Sequence, residues 1–378
     1  MNKHYRNLFD IPKDVVYFNV AGNSPQLKKS TEALMRGSAE KAHPWKKTPN
    51  QFFDLAEKIR TLAAEIFGGE SEGYAIVPSA SYGISTAARI VEKTIKPNEN
   101  IILMQEEFPS NVLPWRRVSK ETGARIKTIR RPKDNNWTRA ILAGITNETK
   151  VIAISPCHWT DGTIVDLHKI KSECEEVNSL LVVDATQMLG GHPIDIEKLE
   201  PDFLVAAGYK WLLSPYGFSL MYAGKKMRSQ RPLEESWLAR ENSEDFANLV
   251  NYNDTYLPGA RRFDMGEKNT ATILPAVIAA FEQIKEWGIE NISSHLKIIN
   301  GQIIQKFEQK GFIVPDKKYL SPHLFGVYTE EERVSDIVKN LTERNVFISR
   351  RGNALRISPH LHNTERDVET FIRCIDRI

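Results

Sequence analysis

The sequence predicts an α/β fold: a mainly parallel central sheet with helices on both faces, and a smaller C-terminal α/β domain. Short apolar runs rich in β-branched residues, as at 151–155, 180–183 and 203–207, are typical of strands buried on both faces. Amphipathic stripes at helical spacing, such as the one over 167–177, alternate with these runs. Because the chain has 378 residues, it is long enough for two domains that share a sizeable core.

The individual elements follow one another along the chain with recognisable boundaries. Ser24 and Pro25 are suited to begin the first long helix, as its N-cap and first helical residue. Asp166 is suited to cap the helix that follows a later strand, and Asn363 to cap the last helix. The remaining strand patterns lie at 15–19, 74–78, 101–104, 219–222, 323–328 and 346–349.

Composition excludes several classes of function. With 41% hydrophobic and 26% charged residues, the chain has the composition of a soluble globular protein. A net charge of +3 without a basic, aromatic-interleaved tract argues against nucleic-acid binding. Cys157, Cys174 and Cys374 form no C-x-x-C pair and no cluster with histidines, which indicates free thiols and no metal. Because the N-terminus lacks a signal-like apolar segment and no run is long enough to span a membrane, we expect a cytoplasmic protein.

Two residues in the middle of the chain suggest a specific chemistry. The run at 180–183 ends in Asp184, at the strand edge where open α/β sheets bind ligands. The run at 203–207 leads to Lys210, and a lysine that is buried there has a lowered pKa. An acid for a pyridinium nitrogen and a lysine for a Schiff base are what pyridoxal 5'-phosphate (PLP) requires of a protein. Either residue alone is more often a helix cap or a solvated side chain, but their combination favours PLP.

The same stretch resembles the class V branch of the fold-type I PLP-dependent enzymes. That branch includes cysteine desulfurases, kynureninases, isopenicillin N epimerase-like proteins and several aminotransferases. The matching positions are Val183-Asp184-Ala185-Thr186-Gln187, Asp202-Phe203, Gly208-Tyr209-Lys210-Trp211 and Gly217-Phe218. Further motifs fit in order over most of the chain. The resemblance implies an N-terminal segment over 1–20, a large PLP-binding domain over 21–260, and an interface loop, linking helix and small domain over 261–378.

The resemblance also implies roles for the residues that hold the cofactor ring. Lys210 is expected to carry the cofactor as a Schiff base and to act as general base and acid. Asp184 is expected to keep the ring nitrogen protonated, and Gln187 to bond the phenolic oxygen. Phe108 is expected to stack on the ring, where cysteine desulfurases usually have a histidine. This Phe and the Tyr209-Lys210 pair are similar to kynureninases and epimerase-like members.

A turn of small residues is the predicted phosphate site. Backbone N–H groups at a helix N-terminus bind anions readily, and small side chains let a phosphate approach. The resemblance places the PLP phosphate on Ser79, Ala80 and Ser81, where Ala80 can contribute only its N–H group. Many relatives have a further Ser or Thr three residues before the lysine, where this chain has Ala207. We therefore expect the Tyr209 hydroxyl to replace it.

Three residues are predicted to face the substrate, which the resemblance implies is an α-amino acid. Arg356 lies in an Arg-x-Ser pattern that in relatives binds the α-carboxylate, and guanidinium geometry suits that role. Asn19 lies in a segment that is near the substrate in relatives. Trp159 stands where many desulfurases have Asn, and indicates a different wall of the site.

The segment 261–270 resembles the family loop that crosses a dimer interface and contacts the phosphate of the partner subunit. We therefore expect a homodimer with its active site at the subunit interface. The phosphate-binding Thr of relatives is Glu267 here, which would repel a phosphate unless it turned away or paired with Arg261 or Lys268. Asn269 or Thr270 could take its place.

The reaction itself is less specified than the cofactor. Desulfurases need a nucleophilic Cys upstream of the carboxylate-binding arginine, and residues 347–354 contain none. Cys157 is the one thiol on a predicted active-site loop. Transamination is our first choice, because it needs nothing beyond the residues found. Elimination, kynureninase-type C–C cleavage and epimerisation stay open, as does a PLP-fold scaffold without catalysis; a Rossmann enzyme is disfavoured because no strand is followed by G-x-G-x-x-G.

Overall fold

A computed structural model of the chain describes residues 5–46 and 48–377. The strands are β1 (Val16–Tyr17), β2 (Tyr74–Val77), β3 (Asn100–Met104), β4 (Arg125–Ile129), β5 (Thr149–Ile154), β6 (Leu180–Asp184), β7 (Phe203–Ala207), β8 (Ser219–Ala223), β9 (Phe325–Tyr328), β10 (Val346–Phe347), β11 (Ser349–Arg351) and β12 (Ala354–Ile357). The α-helices are α1 (Lys28–Lys41), α2 (Pro49–Phe67), α3 (Ala80–Glu92), α4 (Leu113–Thr122), α5 (Trp137–Leu142), α6 (Leu167–Glu176), α7 (Ile196–Leu199), α8 (Leu274–Trp287), α9 (Ile289–Gln309), α10 (Glu331–Thr342) and α11 (Glu365–Asp376). None of the helices in this described part of the chain has both the length and the apolar character of a membrane span.

The central sheet has seven strands in the order β2-β8-β7-β6-β5-β3-β4. The pairs from β7 to β4 are parallel, and β8 lies antiparallel between β7 and β2. Alternate residues of β5, β6 and β7 belong to two separate clusters of buried apolar side chains, one on each face of the sheet. Apolar runs without alternation are what such a doubly covered sheet requires. The predicted fold class is confirmed.

A second, three-stranded antiparallel sheet lies in the C-terminal part of the chain, in the order β11-β12-β9. It adjoins the loop after β5, because the N–H of Gly326 donates to the carbonyl of Asp161 (2.9 Å) and the Tyr328 hydroxyl to the Asp161 carboxylate (2.7 Å). Near the N-terminus, β1 pairs in parallel with β10. These contacts place β12 beside the carboxyl edge of the central sheet.

One of the predicted helix boundaries is confirmed and one near the N-terminus is wrong. The Asp166 side chain caps α6 by accepting from the N–H of Lys169 (3.2 Å). Helix α1 begins later than predicted, at Lys28, and its N-cap Leu27 makes no side-chain bond. Ser24 instead donates its N–H to the carbonyl of Tyr209 (3.0 Å). The residue predicted as the helix cap therefore makes a tertiary contact.

The predicted cap of the last helix is also wrong by one residue. Thr364 caps α11, and it forms a reciprocal capping box with Asp367. The Asn363 side chain points elsewhere: its Nδ2 donates to the carbonyl of Tyr17 (3.0 Å) and its Oδ1 accepts from the N–H of His360 (2.9 Å). Asn363 therefore links the N-terminal segment to the C-terminal region.

Candidate active site

The carboxyl ends of β6 and β7 open into a cavity of about 260 Å³. Its lining residues are Ser79, Ala80, Ser81, Phe108, Ser110, Ser155, Trp159, Asp184, Thr186, Gln187, Ala207, Tyr209 and Lys210. All of the residues predicted to hold the cofactor therefore line one cavity, together with the predicted wall residue Trp159. Parallel α/β sheets place ligands at this edge.

Lys210 lies on the turn after β7 and is only 5% exposed. Its Nζ atom is 5.2 Å from the centroid of the Phe108 ring. The pKa of the Lys210 amine is lowered to about 8, mainly by burial and also by the positive charge of Arg356, while the charge of Asp184 opposes the shift. A substantial share of the amine is therefore neutral near neutral pH, as a nucleophilic lysine requires.

Asp184 is the last residue of β6 and is buried. Burial raises the pKa of its carboxyl, and a hydrogen bond from Thr186 and the charge of Lys210 work in the opposite direction. Thr186 donates its N–H to Asp184 Oδ1 (3.1 Å) and accepts from the N–H of Ala207 at its hydroxyl (3.1 Å). Thr186, which the sequence did not single out, therefore ties the end of β6 to the end of β7.

The side-chain amide of Gln187 is held in one orientation. Trp211 Nε1 donates to Gln187 Oε1 (3.0 Å), and Gln187 Nε2 donates to the carbonyl of Ala21 (3.0 Å). Because an amide nitrogen has two hydrogens, one remains for a ligand in the cavity. This geometry fits a donor to a phenolic oxygen.

The N-terminus of α3 faces the same cavity. The Ser79 side chain caps the helix by accepting from the N–H of Tyr82 (3.2 Å), and its Oγ lies 2.9 Å from Ser81 Oγ. The first turn contains no acidic residue. The first N–H groups of a helix have no partner within the helix and attract anions. The turn at 79–81 therefore fits a phosphate.

Aromatic rings line the rest of the cavity. The Phe108 ring meets the Trp159 ring edge to face, with centroids 5.3 Å apart. Tyr209 stacks on Tyr216 with centroids 4.1 Å apart. Burial raises the pKa of Tyr209, so its hydroxyl stays protonated and can donate to an oxyanion.

Among the residues that the structure describes, Arg356 is a buried cation without an anionic partner. It lies on β12 and is 1% exposed; its Nε donates to Ser349 Oγ (3.1 Å) and its Nη1 to the carbonyl of Trp159 (2.9 Å). Nη2 is buried and has no hydrogen-bond partner within the described residues. The pKa of Arg356 is lowered to about 9, mainly by burial and also by the charge of Arg351. Buried charges are normally paired, so this geometry fits a ligand that brings a carboxylate.

Two of the predicted site residues, Asn19 and Arg356, are not among the residues that line the cavity. Asn19 forms a parallel β-bridge with Ser358, two residues after Arg356. Its Oδ1 is buried without a partner in the described part of the chain. The structure therefore brings Asn19 to the end of the strand that carries Arg356.

Glu107, next to Phe108, was missed by sequence reasoning. Its carboxyl is buried and accepts from the N–H of Phe108 (2.8 Å), the N–H of Ser155 (3.0 Å) and Ser155 Oγ (2.7 Å). Burial raises the pKa of Glu107 to about 7, with a further contribution from the charge of Asp184. Only the fold shows which of the polar residues at 105–107 points inward.

The residues near Glu267 pair with others. Arg261 forms an ion pair with Glu57 (2.6 Å), and Lys268 forms one with Asp264 (2.6 Å). Glu267 itself is exposed. The alternative in which Glu267 pairs with Arg261 or Lys268 is therefore wrong, and its side chain is turned towards solvent.

Comparison with known proteins agrees with this arrangement. The family model described as "Aminotransferase class-V" matches residues 16–373. The uncharacterized aminotransferase YcbU of Bacillus subtilis is 27% identical over 323 residues, covering 84% of this chain and 82% of the relative. A probable cysteine desulfurase of Borreliella burgdorferi is 26% identical over 404 residues, covering 100% of this chain and 94% of the relative.

Among solved structures, a C-DES variant with glycine covalently linked to its PLP cofactor superimposes with a TM-score of 0.83 at 17% identity. The match covers 98% of this chain and 99% of that one. At this identity the likeness concerns the fold, and the family match over 16–373 extends it to the cofactor. The chain belongs to the class V aminotransferase family of PLP-dependent enzymes.

Proposed function

We propose that the protein is a PLP-dependent aminotransferase acting on the amino group of an α-amino acid. The observation that carries the proposal is Lys210, a buried lysine whose pKa is lowered to about 8, in one cavity with Asp184 and Phe108. When bound, PLP supplies an electron sink for negative charge that develops at the substrate Cα. Every other contribution comes from side chains of the protein.

Lys210 moves the protons in this proposal. Its amine would take the proton from the substrate Cα and could give a proton back, and a pKa near the working pH favours both directions. With PLP bound, Asp184 would pair with the ring nitrogen and keep it protonated. Phe108 would stack on the ring. All three residues line one cavity, and this supports the assignments.

The remaining residues bind and orient. The turn Ser79-Ala80-Ser81 and the Tyr209 hydroxyl bind the phosphate, and Gln187 donates to the phenolic oxygen. Arg356 binds the α-carboxylate through its unpartnered Nη2, which supports the assignment. Trp159 closes the substrate side of the cavity, and Asn19 supports the strand that carries the arginine.

The state of the thiols argues for transamination over desulfuration. All three cysteines are buried. Burial raises the pKa of Cys157 to about 12 and that of Cys174 to about 11. The thiolate is the nucleophilic form, so neither side chain is suited to accept sulfur from a substrate.

The second candidate is a PLP-dependent lyase that releases a leaving group from the substrate Cβ. The observation that favours it is the similarity over the full chain to a protein named as a probable cysteine desulfurase. Elimination uses the same proton transfer by Lys210 and needs no cysteine on the enzyme. The two candidates therefore differ in their products and not in the residues that bind the cofactor.

We also propose a homodimer in which the loop 261–270 contacts the phosphate of the partner subunit. Both side-chain amide atoms of Asn269, and the hydroxyl of Thr270, are buried without hydrogen-bond partners within the described chain. Polar atoms in that state are suited to a ligand or a second subunit. Sedimentation of the cofactor-loaded protein tests the assembly, and a monomer at micromolar concentration contradicts it.

A single-turnover experiment tests the function. Cofactor-loaded protein is mixed with a panel of amino acids, without a keto acid acceptor. Aminotransfer yields one keto acid per site and pyridoxamine 5'-phosphate, whereas a lyase releases ammonia or sulfide repeatedly with the cofactor unchanged. Lys210→Ala is the control, because it removes the visible absorbance of the Schiff base. A protein that takes up PLP but leaves every amino acid unaltered contradicts both candidates.

A further inference from the structure

A second arginine shares one face of the C-terminal hairpin with Arg356. Strands β11 and β12 are antiparallel, with Ser349 opposite Arg356 and Arg351 opposite Ala354. Side chains alternate between the faces of a sheet, so Arg351, Ser349 and Arg356 lie on the same face, and Arg350 lies on the other. Arg351 and Arg356 are thus diagonal neighbours, at a spacing of about 7–8 Å.

Both guanidinium groups contact Trp159, which lines the cofactor cavity. Arg356 Nη1 donates to the Trp159 carbonyl (2.9 Å), and Arg351 Cζ lies 5.6 Å from the centroid of the Trp159 ring. Arg351 Nη1 donates to the carbonyl of Arg350 (2.6 Å), and a guanidinium above an aromatic face can direct its remaining N–H groups at a planar anion. The two arginines therefore contact the same residue of the cavity wall, Arg356 at its carbonyl and Arg351 at its ring.

Neither arginine pairs with an acidic side chain in the described part of the chain. Among the described residues, no carboxylate forms an ion pair with Arg351 or Arg356, whereas the adjacent Arg350 pairs with Glu331 (2.7 Å). The charge of Arg351 affects buried groups of the site, because it lowers the pKa of both Arg356 and Lys210. Cations placed this close repel each other unless anionic ligands compensate them. One substrate carboxylate compensates only one of the two arginines.

We infer that Arg351 binds a second acidic group, so that the substrates are α-amino acids with an acidic side chain. This inference rests on the proposed function, because it assigns Arg356 to the α-carboxylate. Arg351, which lies over the Trp159 ring, then selects the side chain. A neutral side chain of the same size leaves the Arg351 charge uncompensated, and specificity arises from that difference.

Calorimetric binding of unreactive analogues tests the inference without turnover. Cofactor-loaded protein is titrated with succinate, which has two carboxylates, and with succinamate, in which an amide replaces one of them. We expect succinate to bind about tenfold more tightly or better, and Arg351→Gln to remove that preference while leaving succinamate binding unchanged. Arg350→Gln is the matched control, since that arginine faces away and pairs with Glu331.

The outcomes separate this inference from the proposed function. Equal affinity for the two analogues, or an equal loss in Arg350→Gln and Arg351→Gln, overturns the role of Arg351. If that happens while amino acids still yield keto acids, the aminotransferase proposal stands alone. A preference for aspartate over asparagine that Arg351→Gln abolishes confirms the role in turnover. Preference for succinate with no reaction of any amino acid overturns the proposed function and retains an acid-binding site at Arg351.

Discussion

Lys210 allows a quantitative prediction about how fast the cofactor-free protein takes up PLP. Only the neutral amine adds to the aldehyde, and burial lowers the Lys210 pKa to about 8. At pH 7 about one Lys210 amine in ten is then neutral, compared with about one in three thousand for an ordinary lysine. The uptake rate should rise about tenfold per pH unit below pH 8 and level off above it.

The assay is stopped-flow mixing of cofactor-free protein with PLP, with the visible absorbance of the Schiff base as the signal. Arg356→Met should move the midpoint to higher pH, because a positive charge that lowers the Lys210 pKa is gone. Arg350→Gln should leave the midpoint where it is, because that arginine pairs with Glu331 on the opposite face. A rate that keeps rising through about pH 9.5, as for a solvated lysine, refutes the reasoning. So does a midpoint that Arg356→Met leaves unchanged.

Three further predictions concern binding, stability and thiol reactivity. Arg356→Met should raise KM for a reactive amino acid about thirtyfold or more, because a desolvated carboxylate loses its cation; steady-state kinetics measures this. Burial lowers the pKa of His323 to about 3, so the unfolded state binds the extra proton and stability falls as pH drops below about 6.5. Relative to His323→Gln, the wild type should lose about 1.4 kcal/mol more per pH unit between about pH 6 and pH 4, as read from urea unfolding. Cys157 and Cys174 should resist iodoacetamide in the folded protein and react after unfolding, as measured by mass spectrometry. Rapid labelling of the folded protein would contradict this prediction and favour a desulfurase.

Sequence reasoning succeeded where chemistry depends on the position of a residue along a strand. Asp184 and Lys210 follow apolar runs, and parallel strands bring their carboxyl ends to one edge whatever the loops between them do. The turn at 79–81 was predictable for the same reason, because it joins a strand of that sheet to the start of a helix. Predicting these contacts requires only the topology of the central sheet.

The residues that sequence reasoning missed depend on register and on burial at single positions. Arg351 lies on the same face of the sheet as Arg356 because of the register of β11 with β12. Gly352, with φ of +59°, sets this register by letting the chain reverse within two residues. A one-residue shift would put Arg350 on that face instead. The Gly-Asn pair at 352–353 was a usable signal for this hairpin. The inward turn of Glu107 carried no comparable signal, since its neighbour Glu106 has the same side chain and is exposed.

The charged residues of the site influence one another's pKa values. The pKa of Lys210 responds to the charges of Arg356, Asp184 and Arg351, and the charge of Asp184 contributes to the raised pKa of Glu107, about 7. Among the described residues that line the cavity, Asp184 is the acid. Burial is the main cause of the low Lys210 pKa, and the positive charges of Arg356 and Arg351 also lower it. A carboxylate bound at Arg356 offsets one of these charges, so the lysine becomes a stronger base when a substrate proton is within its reach. Binding of the acid group and proton transfer at Cα are therefore coupled through electrostatics.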